Sequence, residues 1–136
     1  MTVEKQSFVQ AAGSARIPVN TVITNVIATL RGDIDPGRVY VVSGHYDSRV
    51  TDVLNATSDS PGADDDASGV AVAMELARVM ATRHTEATLV FVAVAGEEQN
   101  LYGSDHMAAV MKAANVDVQA DDGVTGHYYV STGRRD

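Results

Sequence analysis

Residues 67–95 read ASGVAVAMELARVMATRHTEATLVFVAVA, and this stretch decides the fold class. Its first part places Val70, Ala73, Met74, Ala77, Met80 and Ala81 at the i, i+3, i+4, i+7 spacing of one helix face. The spacing predicts a helix over 67–83. Val72, Leu76 and Val79 widen its apolar surface, so it is expected to pack on more than one side. Asp66 can cap its start, and Arg83 and His84 suit its other end. Residues 89–95 form an unbroken, valine-rich apolar run, the pattern of a central strand covered on both faces.

Working outward, residues 39–42 are a short apolar run and read as a buried strand. Strand, helix and strand in that order make a βαβ unit, right-handed by default. Residues 17–31 read as a further strand, with Val22, Val26, Ala28 and Leu30 on one face and Thr21, Ile23, Asn25 and Thr29 on the other. The turn Asp35-Pro36-Gly37 follows it, so the 17–31 and 39–42 strands are expected to pair as a hairpin. Residues 104–114 read as a second helix, with Met107, Val110, Met111 and Ala114 on one stripe. The first dozen residues read as a short helical turn or a frayed end. Residues 127–130 read as one more short strand. The expected architecture is a three-layer αβα sandwich with a mixed, mostly parallel sheet.

The chain has 136 residues, which fits a single domain over 1–136. Ten Lys and Arg against 18 Asp and Glu give a net charge of −8, which argues against a nucleic-acid or anionic-membrane surface. Without cysteine there is no disulfide, thiol nucleophile or thiolate metal site, so any metal falls to His, Asp and Glu. No apolar run reaches the roughly 20 residues of a membrane span. Residues 1–10 contain Glu4 and lack the apolar centre of a signal peptide.

The acids are concentrated in three motifs at strand ends or a helix start, where open α/β sheets bind ligands. In Ser43-Gly-His-Tyr-Asp-Ser48, His45 and Asp47 are two apart and point the same way in an extended segment. A carboxylate there can fix the imidazole tautomer for a metal. In Pro61-Gly-Ala-Asp-Asp-Asp-Ala-Ser-Gly69, one Asp suffices for a helix cap, while three adjacent ones call for a cation or ample water. In Ala95-Gly-Glu-Glu-Gln99, two carboxylates leave an apolar strand together. Adjacent residues cannot face one ion alike, so one reads as a ligand and the other as a base acting on a metal-held water. Each motif also has a plainer reading, as a strand-end His, a helix cap or a solvated strand end.

The strings SGHYDS, PGADDDASGVA and AGEEQNLYGS, led by NVIATLRG, resemble the co-catalytic di-zinc exopeptidases. That family includes bacterial leucyl-type aminopeptidases, glutamate carboxypeptidase and, with one zinc, glutaminyl cyclase. The resemblance runs from about residue 25 to about residue 114. It implies that His45 ligates one zinc, Asp47 supports it, Asp65 bridges both zincs, Glu98 ligates the other and Glu97 is the general base. It further implies aminopeptidase-type hydrolysis of peptide substrates, with Glu97 passing a proton from water to the leaving amine.

Two ligands of that family lie further on. For the later Asp, Asp122 is favoured over Asp121; the late His has no match, since His127 follows too soon and His106 and His84 read as helix residues. The chain therefore reads as the front part of a catalytic domain. One or weakly bound zinc is expected instead of two, and homo-oligomers are expected because later strands would be missing. The alternatives are a non-catalytic metal-binding or oligomer-forming module, or a single-zinc esterase-like hydrolase. Family members are often exported; the sequence leaves the compartment open.

Overall fold

Val90, Val92 and Val94 are buried with Ile27, Val39 and Met107 in one apolar cluster, while Phe91 is buried on the opposite face of the same strand. The run 89–95 is thus covered on both sides, as its lack of polar alternation requires. The structure, a computed structural model, describes residues 1–119. Its elements are β1 (Thr2–Gln10), β2 (Thr21–Leu30), β3 (Asp35–His45), α1 (Ser68–Met80), β4 (Ala87–Val94), α2 (Tyr102–Ala113) and β5 (Asp117–Val118). The strands form one sheet in the order β1-β2-β4-β3-β5. Two helices flank it in an αβα-like arrangement: α1 packs on β3 and β4, and α2 lays Met107 and Met111 on the apolar cluster.

Four expectations need correction. The sheet is not mostly parallel: β1–β2 and β2–β4 are antiparallel, and β3–β4 and β3–β5 are parallel. Parallel neighbours need a crossover connection, and only β3-α1-β4 and β4-α2-β5 supply one. Second, β2 and β3 do not pair as a hairpin, because β4 lies between them, with Val26–Leu30 on one side and Val39–His45 on the other. A strand apolar on both faces gains most from the central place. Third, residues 2–10 are neither helical nor frayed; they pair along their whole length with β2. Their alternation Phe8 inward and Val3, Val9 outward is that of an edge strand. Fourth, α1 packs on one side only, and Val72, Met74, Leu76 and Val79 stand exposed.

The two crossovers run in opposite directions along the sheet, one from β3 to its neighbour β4 and the next from β4 back past β3 to β5. With both right-handed, their helices fall on opposite faces. The carboxyl ends of β3 and β4, where the direction reverses, therefore border a crevice between two diverging connections. Both the His45 and the Glu97 motifs leave the sheet there.

Candidate metal centre

His45 is the last residue of β3, and Tyr46 continues the ladder, its amide donating to the Val94 carbonyl at 3.0 Å. The Tyr46 hydroxyl donates to the Thr24 carbonyl at 2.7 Å, so the segment is tied on both sides before it turns away. Beyond it the Asp47 carboxylate accepts the amides of Glu97 at 3.4 Å and Glu98 at 3.1 Å. One side chain from the β3 end thus fixes the loop that follows β4. The Asp47 atom nearest the imidazole is its backbone carbonyl, 2.9 Å from His45 Nδ1, while its carboxylate lies 3.8 Å away.

The triplet Asp64, Asp65 and Asp66 sits in an irregular turn over Ala63–Ala67, with Asp65 and Asp66 in non-helical backbone conformations. This divides their labour. Asp66 accepts the His45 amide at 3.0 Å with one carboxylate oxygen and the Gly69 amide at 3.0 Å with the other. The N-cap position of α1 is Ala67 and not Asp66, but through the Gly69 amide Asp66 still ties the first turn of the helix onto the end of β3. Asp65 is released to the imidazole, with its Oδ1 2.9 Å from His45 Nε2. Asp64 is exposed.

Glu97 places Oε2 3.8 Å from the same Nε2. Glu98, its neighbour, does not join the group; its carboxylate lies 2.6 Å from Arg49 Nε. The structure therefore brings His45, Asp47, Asp65 and Glu97 together, while the neighbouring Glu98 carboxylate pairs with Arg49. Asp122, Asp121 and the strand expected over 127–130 lie outside the described residues.

Burial by itself would lower the His45 pKa, but the Asp47 carbonyl, the Asp65 carboxylate and the charges of Glu97 and Asp47 outweigh it and hold it above the ordinary histidine value. Burial pushes the Glu97 carboxyl up; the His45 charge opposes this, and the charges of Glu98, Asp47 and Asp65 add to it. Burial, then the Asp47 charge, raises Tyr46.

A carbonyl only accepts, so the Asp47 contact fixes a proton on His45 Nδ1. In the neutral ring Nε2 then carries a lone pair, and it faces the Asp65 carboxylate at 2.9 Å. Two acceptors at that distance require a proton or a metal ion between them. His45 and Asp65 fit an N/O-ligated cation, and Glu98 as placed does not. Among the described residues no group of three or more His, Asp and Glu side chains is arranged to hold a metal ion.

Sequence reasoning missed three residues that build the site. Asn25, fully buried on β2, donates through Nδ2 to the Gly103 carbonyl at 2.8 Å and to Gln6 at 3.0 Å, and accepts the Ala95 amide at 3.2 Å. It brackets the loop carrying Glu97 and Glu98. The signal was an amide between Ile23 and Ile27 on the buried face of a strand. Arg16 donates to the Glu98 carbonyl, and Arg49 holds its carboxylate. Arg49 is the sole arginine or lysine between Arg38 and Arg78. His106, read as a helix-surface residue, stacks on Phe8 with ring centroids 3.8 Å apart and joins α2 to β1.

The chain is 56% identical over its whole length to a probable zinc metalloprotease of Pyricularia oryzae, and 58% identical over 88% of its length to one of Pyrenophora teres f. teres. It covers 27% and 24% of those proteins, so it spans about a quarter of the curated relatives it matches. Among solved structures, the glutaminyl cyclase of Fimbriiglobus ruber aligns with a TM-score of 0.67 and 26% identity over 84% of this chain and 43% of that one. An aminopeptidase from Aneurinibacillus sp. strain AM-1 aligns with a TM-score of 0.55 and 38% identity over 67% of this chain and 21% of that one. Residues 25–124 match the family model of peptidase family M28, a span that holds all three acidic motifs, and the chain belongs to that family.

Proposed function

We propose that this chain is a metal-binding module, the first portion of an M28 zinc-peptidase site, in which His45 Nε2 and Asp65 hold one divalent cation. The observation that carries the reading is His45 Nε2 turned to the Asp65 carboxylate at 2.9 Å, with Glu97 3.8 Å away. Zinc suits an imidazole and carboxylate pair, and the relatives named as probable zinc metalloproteases favour it. Two described ligands are fewer than the four of a closed zinc site, so binding is expected to be weak, at one ion per chain. Calorimetric zinc binding checks this. Replacing His45 with alanine is expected to weaken binding about tenfold or more. Equal affinity in the two proteins would show that zinc, if bound, lies elsewhere.

A second reading, hydrolysis of aminopeptidase type, is favoured by Glu97. Its carboxyl is partly buried, raised above the ordinary glutamate value and directed at the imidazole edge where a cation would sit. A bound zinc would acidify water and polarise a substrate carbonyl. Glu97 would take the proton from the water and return it to the departing amine. The aminopeptidase among the similar structures supports a peptide substrate. With zinc present, Glu97→Gln is expected to slow aminoacyl-nitroanilide hydrolysis about 100-fold without weakening zinc binding. A parallel ester substrate separates a peptidase from a single-zinc esterase. Equal rates in the two proteins would remove hydrolysis from the reading. Self-association along β1, an outer strand whose Val3 and Val9 are exposed, belongs to the same proposal.

A further inference from the structure

A cavity of about 510 Å³ opens between the start of β2, the segment before it, the loop after β3 and the loop after β4. Its volume falls within the roughly 300–1,000 Å³ of small-molecule sites. Ile17 and Ile23 line it as buried residues, and Val19, Val22 and Leu54 line it while exposed. Single exposed apolar side chains are ordinary, but several converging on one concavity mark a binding surface. The charge of the lining sets it apart from the rest of the chain. The chain carries 18 Asp and Glu, yet among the described residues no carboxylate lines the cavity, and its one charged side chain is Arg16. Arg38, Arg49 and Arg78 each pair with a glutamate. Arg16 instead donates through Nη1 to the Glu98 main-chain carbonyl, which holds its side chain at the loop wall and leaves its charge without a described carboxylate partner. Gln99, on the same loop, also lines the cavity, and its side-chain amide makes no hydrogen bond among the described residues.

We propose that this cavity binds the carboxyl-terminal end of a peptide, with an apolar last side chain against Val19, Val22 and Leu54 and the α-carboxylate on Arg16. The proposal does not rest on the metal-binding reading, because the lining and its charge are complete without an ion. An apolar side chain takes the exposed valines and leucine out of water. A carboxylate supplies the charge that the lining lacks, and a guanidinium meets it with paired N–H donors at any working pH. With a net charge of −8 the chain repels anions in general, so a carboxylate is held only where a local cation meets it. The amino-terminal end of a peptide does not match, since its positive charge would face Arg16. A fatty acid matches in charge and apolarity but offers nothing to the Gln99 amide, which a peptide unit can both accept from and donate to. Tyr46 and Gly96 also line the cavity, so it lies one residue along the chain from both His45 and Glu97.

The test is an NMR titration of the metal-free, isotope-labelled 136-residue chain with acetyl-alanyl-leucine. Saturable shifts are expected at the amides of Ile23, Gly96 and Gln99, with a Kd on the order of 1 mM. Three further probes each lack one feature: acetyl-alanyl-leucinamide the carboxylate, acetyl-alanyl-glycine the apolar side chain, and octanoate the peptide unit. Each is expected to bind about fivefold to tenfold more weakly. Arg16→Gln, first shown by circular dichroism to be folded, is expected to lower the affinity for the acid to that for the amide, and Arg16→Lys to restore part of it. Leu54→Asp, at an exposed position, is expected to abolish binding of both. Equal affinity of the wild-type chain for the acid and the amide would overturn the proposal without recourse to any variant. Undiminished binding of the acid by Arg16→Gln would do the same, as would octanoate binding as tightly as the peptide, shifts confined to another part of the chain, or no shifts at roughly 10 mM probe. Zinc binding by the same chain, measured separately, is unaffected by any of these outcomes.

Discussion

Replacing Asn25 with leucine is expected to destabilise the chain by about 4 kcal/mol, although the two side chains are close in size. The residue is fully buried and serves three partners. Leucine removes the acceptor of the Ala95 amide and the donors to the Gly103 carbonyl and to Gln6. Gln6, half-exposed on the edge strand, can turn to water, but the Gly103 carbonyl and the Ala95 amide stay in place, and each buried unpaired group costs roughly 1–3 kcal/mol. Relief by movement is blocked at Gly103, where even one added carbon would collide with the Ala95 carbonyl oxygen and the Asn25 amide. A thermal melt would show a fall of roughly 10–20 °C for a chain of this size. The effect should also be local: hydrogen exchange at Ala95 to Glu98 should quicken ahead of the rest of the sheet. A melting point within a few degrees of wild type would mean that Asn25 does not hold this loop.

Gly44→Ala is the second large effect, about 3 kcal/mol of stability, at the upper end of what overpacking costs. Gly44 is where β3 passes beneath the start of α1. A carbon added there would lie 2.5 Å from the Val70 nitrogen and 2.6 Å from the Gly69 carbonyl carbon, with the Asp66 carboxylate 3.0 Å away. The first two are main-chain atoms and cannot swing aside. To accept the methyl group, α1 must rise from the sheet, and that separates the His45 and Gly69 amides that Asp66 bridges. The substitution therefore acts twice, through packing and through the clamp. Zinc affinity is expected to fall along with the melting temperature, because Asp65 is carried by the same turn. Loss of neither would show that the close passage is not required.

The βαβ unit was legible because its pattern is local. An unbroken apolar run in 89–95 and a helical period in 67–83 specify their elements without help from distant residues, and α1 and β4 form there. The position of β4 between β2 and β3 was not legible. The turn at Asp35-Pro36-Gly37 is as compatible with a hairpin as with a strand leaving to pair elsewhere, and the choice depends on residues 50 positions away. β1 was misread for a related reason, since an edge strand with one inward aromatic, Phe8, carries too little alternation to identify itself. At the site, the three acidic motifs were legible at strand ends and a helix start, and the choice of His45, Asp65 and Glu97 within them came from the resemblance. The division between Asp65 and Asp66 could not, because it depends on where two amides of other elements point. The pairing of Glu98 with Arg49 likewise joins positions 49 apart.

The central place of β4 bears on how the chain is made. Synthesis begins at the amino end, so β1, β2 and β3 emerge before the strand that joins them. The β1–β2 ribbon then has an open edge at β2 besides the outer edge of β1, and β3 has open edges on both sides, with no shared neighbour until residue 94 has left the ribosome. Unpaired edges of apolar strands are what growing chains most readily misuse, by pairing with each other or with another copy. For this chain β4 closes the β2 edge and one edge of β3 together, when it enters the gap from which both acidic loops are then suspended, and the far edge of β3 waits for β5.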